Sequence, residues 1–230
     1  QELESLSLFK KLFEDGNHSE EIIYYILALS CNNSRTVSAS VLSCAEQSEN
    51  PQILVLAASV FVMKNDVENA LKMNIKAMLR TTNTQSNVFS QYIGIETLED
   101  PSKEIIVNGI DIDTVARLKN EENKSEKIYA IHSHQFLPNE PYNWENAIHI
   151  YKESAIMMGI FKKKEGDVVI INEFSYIVEE IIPLSTYFFR LSMDKIVANG
   201  NAKMISVPVT ENDVLDIEQF TRIFKEAIGN

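Results

Sequence analysis

Along the first 95 residues, apolar side chains recur at helical spacing. Leu3, Leu6, Phe9, Leu12 and Phe13 share one helical face, and Asp15-Gly16-Asn17 closes that segment. Ser19-Glu20-Glu21 supplies a capping residue and an acidic first turn ahead of Ile22 to Leu27. Asn32-Asn33-Ser34 interrupts the pattern, and a third helix is predicted from Arg35 to Gln47. Asn50-Pro51 opens a fourth, because proline at the first helical position gives up no hydrogen bond. After a tight turn at Asn65-Asp66, a fifth helix is predicted from Val67 to Arg80. Thr81 to Gln91 is polar and, with Glu99-Asp100-Pro101-Ser102, reads as a boundary region.

From Glu104 the period shortens to that of strands. Ile105-Ile106-Val107, Thr114 to Leu118 and Ile128 to Phe136 are predicted strands, with Lys119 to Lys127 as a charged hairpin loop. Leu137 to Asn143 contains Pro138 and Pro141 and reads as a loop. Trp144 to Phe161 is predicted to be a helix, either continuous or broken at Gly159. Glu165-Gly166-Asp167 is a turn signal before the β-branched run Val168 to Ile171. Asn172-Glu173 then separates that run from Phe174 to Ile181, which suggests a hairpin although Asn-Glu is not the preferred Asn-Gly pair. Beyond Pro183, Tyr187 to Met193 fits a strand or a short helix. Lys203 to Val209 alternates like a strand, and Asp213 to Ile228 is patterned as an amphipathic helix. The expected class is α+β: a helical, repeat-like domain over 1–95, a small antiparallel-sheet domain over 103–185, and an extension over 186–230 with a strand and a helix.

Hydrophobic residues make up 45% of the 230, enough to bury a substantial core. The formal net charge of -12 argues against a nucleic-acid surface, since neutralising phosphates takes clustered Lys and Arg. Lys162-Lys163-Lys164 is the only basic triplet. No apolar run is long enough to span a bilayer and no basic-then-apolar leader opens the sequence, so a cytoplasmic protein is expected. Cys31 and Cys44 are expected as buried free thiols. The first residue is Gln1 rather than Met, so the chain is expected to belong to a longer polypeptide.

The run ESAIMMGIFKKKEGDVVII, Glu153 to Ile171, resembles the C-terminal domain of the bacterial transcript-cleavage factors GreA and GreB. That family carries a segment close to ESPIGRALLGKKVGDVVEV. Glu153, Ser154, Ile156, Lys163, Lys164, Gly166, Asp167, Val168 and Val169 match it without a gap. Tyr176 to Ile181 is similar to the family's closing strand, Asp113 to Leu118 to its opening strand, and Glu126 to Ile131 to its second. The resemblance implies an FKBP-like fold and a docking role at RNA polymerase. The family's metal-holding carboxylates sit on a coiled-coil hairpin that has no counterpart here. The implied contact residues are Ser154, Ala155, Met157, Met158, Lys162 and Lys163, and the implied partner is RNA polymerase or another domain of the same polypeptide. Ala155 stands where the family has proline, Met157 and Met158 where it has glycine and a basic residue, and Lys162 where it has glycine. Pro51 to Thr82 resembles one tetratricopeptide repeat through Ala58, Phe61, Ala70 and Ala77, with Asn74 in a place that family usually gives to an aromatic. Similar Gre-type domains follow helical repeats in large bacterial proteins that also carry a PIN-type nuclease domain.

The candidate chemistry centres on His132-Ser133-His134. On a strand, residues two apart share a face, so both imidazoles could meet one metal. Tyr142 and Glu145 follow at the spacing of Ser and Asp in metalloproteases of the JAMM type, which makes a metal-dependent hydrolase using His132, His134 and Glu145 the alternative function. Asp111, Asp113 and Asp167 flank strands, as the carboxylates of a PIN-type nuclease would. No nucleophile elbow, phosphate loop or dinucleotide fingerprint occurs, and the chain has only seven glycines, so no cofactor is expected. The leading expectation is a non-enzymatic interaction module.

Overall fold

A computed structural model describes residues 1–81, 86–98 and 107–198. Six helices come first: α1 (Glu2–Glu14), α2 (Glu20–Asn32), α3 (Ala39–Gln47), α4 (Pro51–Met63), α5 (Val67–Arg80) and α6 (Ser86–Glu96). Four strands follow: β1 (Thr114–Asn120), β2 (Glu126–His132), β3 (Tyr142–Trp144) and β4 (Ala147–Tyr151). The short α7 (Lys152–Met157), β5 (Val168–Ile171), β6 (Phe174–Pro183) and α8 (Leu184–Ala198) complete the described elements. The class is α+β.

Local chemistry sets the starts of three helices. Asn50 accepts a hydrogen bond from the Gln52 amide at 3.0 Å to begin α4, and Asp66 accepts from the Asn69 amide at 3.2 Å to begin α5. Ser38 caps α3 in the same way, so that helix starts at Ala39 and not at Arg35. The polar stretch expected to be a boundary instead enters α6. Val88, Phe89, Tyr92 and Ile95 form a buried stripe on that helix, and its polar residues lie outside the stripe. Tertiary burial overrides the local polarity.

Ala58, Ala70 and Ala77 are fully buried, as close approach between α4 and α5 requires. Asn74, in the repeat's aromatic place, joins a polar chain. Its side-chain amide donates to Gln91 Oε1 at 2.6 Å, and Gln91 donates on to Ser59 Oγ at 2.8 Å and the Val55 carbonyl at 3.0 Å.

The sheet has six strands in the order β3-β4-β2-β1-β6-β5. It is mixed, not wholly antiparallel, because β2 and β4 run parallel. β4 comes from the stretch predicted as helix, and β3 joins Tyr142 and Asn143 of the predicted loop to Trp144. Glu145 and Asn146 both take left-handed backbone angles, φ 50 and 31, and fold Trp144 back against Ala147. Asn172 and Glu173 do the same between β5 and β6, at φ 50 and 71. Tyr187 to Met193 lies within helix α8. Of the expected strands and helices, Ile105-Ile106, Lys203 to Val209 and Asp213 to Ile228 lie outside the described residues.

Alternation along the strands divides the sheet's residues between two cores. Val115 and Ala130 join Leu184, Phe188 and the buried faces of the helices in one continuous core. Ala116, Leu118, Tyr129 and Ile131 join Ala155, Ile160, Val169 and Val178 in the second. Polar bonds tie the helices to the sheet side. Tyr142 donates to the Leu79 carbonyl at 2.7 Å, Arg80 Nη2 to the Phe136 carbonyl at 2.9 Å, and Tyr92 to the Ser185 carbonyl at 3.3 Å.

Candidate interaction surface

The segment that resembles the Gre docking region runs from the end of β4 through α7 into β5. At six residues, α7 is too short to persist alone, so tertiary anchoring must hold it. Ala155 and Ile160 supply the anchors, both fully buried in the second core. Gly159 ends the helix at φ 70, a left-handed angle that suits a residue without a Cβ. The Met158 amide donates to the Ser154 carbonyl, the Gly159 amide to the Ile156 carbonyl and the Ile160 amide to the Ala155 carbonyl, which closes the turn.

The following turn is braced by residues 109–111. The Ile110 amide donates to the Lys163 carbonyl at 2.7 Å, and the Lys162 amide donates back to the Ile110 carbonyl at 2.6 Å. Lys162 pairs with Asp111, and its ammonium lies 5.0 Å from the Phe161 ring centre. A Cβ on Gly109 would sit 3.0 Å from the Lys163 backbone oxygen. Gly109→Ala is therefore expected to cost about 1 kcal/mol in a chemical denaturation, and valine there more, because backbone must move to admit the side chain.

The anchoring sorts the six expected contact residues. Ala155 points inward and is not part of the surface. Ser154, Met158 and Lys163 are half-buried and Lys162 is exposed. Met157 is 79% exposed and its neighbour Ile156 is 52% exposed. Two large apolar side chains thus stand side by side in solvent on a helix that is itself held rigidly from beneath.

The proposed metal constellation is not assembled. β2 ends at His132, because Asp113, at φ 55, accepts from the Ser133 amide at 3.1 Å and the Ser133 hydroxyl at 2.8 Å and draws the chain out of the ladder. His134 lies past the strand end, so the two histidines are not strand neighbours on one face. Glu145 sits in the β3–β4 turn and pairs with Lys195 at 2.7 Å. Among the described residues, no three His, Cys, Asp or Glu side chains converge as metal ligands. Asp111 and Asp113 are engaged by Lys162 and Ser133, and Asp167 accepts from the Lys164 amide. Cys31 and Cys44 are free thiols, each half-buried.

His132 has a different partner, His149 on β4. The parallel register sets Ala130 opposite His149, so both imidazoles project from the helix-facing side of the sheet. His132 Nε2 and His149 Nδ1 are 2.8 Å apart. Phe136, Trp144, Tyr187 and Phe188 surround the pair. Burial pushes His132 down to about 3, with the neighbouring His149 and His134 acting in the same direction. Burial pushes His149 down to about 4. The Trp144 backbone pulls His149 the other way without closing a hydrogen bond, and His149 Nε2 has no hydrogen-bond partner. Both rings are neutral at pH 7, and they form a polar joint inside an aromatic core. His149 escapes sequence reading because the apolar content of its stretch suits a helix as well as a strand. The strand signal was present in the alternation Ala147-Ile148-His149-Ile150-Tyr151 after Glu145-Asn146.

No protein-family model matches the chain, and no curated protein matches it.

Proposed function

We propose that the chain is a protein-docking module of the Gre C-terminal kind, and that α7 with its following turn is the face it offers to RNA polymerase. The observation that carries this reading is Met157, a flexible apolar side chain standing 79% exposed on an anchored helix. Methionine adapts to irregular protein surfaces, and an apolar group kept in water gains when a partner covers it. Lys162, paired with Asp111, and Lys163 follow on the adjoining turn and give the apolar pair a polar rim.

The order of the elements supports the kinship. The four stretches that resemble the family lie on β1, on β2, on α7 continuing into β5, and on β6, all within or against one sheet. The departures from the family fall into two kinds. Alanine for proline at Ala155 is buried and serves the fold, whereas Met157 in place of glycine changes the surface. The expected contact is therefore more apolar than the family's. No helix among the described residues is long and apolar enough to cross a membrane.

Retention on immobilised, purified core RNA polymerase tests the reading. The wild-type chain is expected to be retained, and Ile156→Asp with Met157→Asp to lose at least tenfold in retention. Both positions are surface sites, so stability should move by no more than about 0.5 kcal/mol each. A wild-type chain that washes off with the void volume rules out polymerase as the partner, and unaltered retention of the double variant rules out this face.

A further inference from the structure

α5 carries Lys72 and Lys76 four residues apart on one face. Opposite them the chain leaves β2 through His134-Gln135-Phe136, and a cavity of about 200 Å³ lies between the two walls. Lys76 is a buried cation, its side chain only 7% exposed. An ammonium carries three donors and no acceptor, so its charge must be met from outside. One donor goes to the Glu46 carbonyl at the end of α3. The nearest paired carboxylate, Glu49, is 3.9 Å away and is held in a two-pronged contact by Arg80, which is equally buried. Two buried cations therefore share one carboxylate, and that carboxylate is itself largely exposed.

Lys72 adds a further positive charge to the same cavity, and among the described residues it forms no ion pair. Glu46 is the one acid in the lining. Burial, Arg80 and Lys72 all lower the pKa of Lys76, while Glu49 and Glu46 act against them. The cavity thus has more positive charge than its own acids balance, within a chain whose formal net charge is -12.

We propose that this cavity is an anion site that takes a phosphate-class oxyanion, with Lys76 and Lys72 meeting its charge and His134 and Gln135 closing the opposite wall. The arrangement favours a tetrahedral ion over a planar carboxylate. Donors approach from two facing walls, and the one planar fork nearby, Arg80, is already committed to Glu49. The site stands apart from α7, so its success or failure leaves the docking face untouched.

Titration of the full chain with inorganic phosphate, against sodium chloride at equal ionic strength, tests the proposal. Phosphate is expected to raise Tm by about 3 °C at a concentration tenfold above its Kd. It is also expected to move the NMR signals of the His134 ring while those of His18, in the α1–α2 loop, stay in place. Lys72→Gln removes a side chain with no structural bond of its own and should weaken phosphate binding at least fivefold, and Lys76→Met should abolish it. Acetate at the same ionic strength should do no more than chloride. A phosphate monoester such as glycerol 2-phosphate that binds more tightly than the free ion would identify the ligand as a phosphate borne on a larger molecule. Equal shifts with phosphate and chloride, an acetate effect matching that of phosphate, or an unchanged Kd in Lys72→Gln would overturn the proposal.

Discussion

Phe188→Ala is expected to lower stability by about 3–5 kcal/mol and to do so for helices and sheet at once. The ring is fully buried in the core that runs from Leu6 to α8. It touches Tyr92 from the helical layer, His132, His149 and Trp144 from the sheet, and Tyr187 from its own helix. A cavity at this point loses contacts on both sides of the junction, which the polar bonds from Tyr142, Arg80 and Tyr92 cannot replace. The loss is a large part of the total stability of an ordinary domain. Two probes separate the layers. Helical circular dichroism follows mainly α1 to α6, and the fluorescence of Trp144, the single tryptophan, follows the sheet. Both should shift together to a lower denaturant midpoint in the variant. A sheet signal that moves while the helical signal stays would show that the two layers unfold as separate units.

The second large effect is acid sensitivity. His132 and His149 are held neutral in the folded chain, at about 3 and about 4, against an ordinary histidine value of 6.5. Their folded values are lowered, so the unfolded chain binds protons first as the pH falls. The stabilisation is complete above 6.5 and is lost progressively below it, down to the folded values. Between pH 7 and pH 5 each ring gives up about 1.4 kcal/mol per unit below 6.5, roughly 4 kcal/mol for the pair. A fall in Tm on the order of 10 °C over that interval follows. Ordinary carboxylate values lie below that interval, so the histidines stand clear of most ordinary acid unfolding. His132→Phe with His149→Phe removes both titrating groups from an already aromatic setting and should flatten the profile. A wild-type Tm that is level from pH 7 to pH 5 would mean that the pair is open to protons in the folded state.

The sequence shows most plainly where one physical cause dominates. Asn50-Pro51 and Asn65-Asp66 announce their helices because capping and proline geometry are local. The β5–β6 hairpin is legible from β-branching even with Asn-Glu at its turn, since four residues of strand pairing on either side can hold left-handed angles that glycine would take more easily. Trp144 to Phe161 is where the reading fails. Its apolar content suits a helix as well as a strand, and only the Glu145-Asn146 turn and a five-residue alternation tip it to the end of β3 and to β4. α6 is missed for the opposite reason, because a polar composition hides a four-residue stripe that matters only once α5 and α8 are in place. His149 goes unseen with β4, and so the partner of His132 is sought at His134 and Glu145. Among the expected contact residues, composition cannot tell Ala155 from Met157. The turn at Gly159 decides which of them the sheet buries.

The most direct measurement places a photo-crosslinking amino acid at position 157 and, in a separate chain, at position 8 on α1, where Leu8 is also exposed. Each is irradiated with purified core RNA polymerase under native conditions. Covalent capture of a polymerase subunit from position 157 and not from position 8 is the predicted result. Capture from position 8 alone, or from neither, would contradict the assignment of α7 as the docking face.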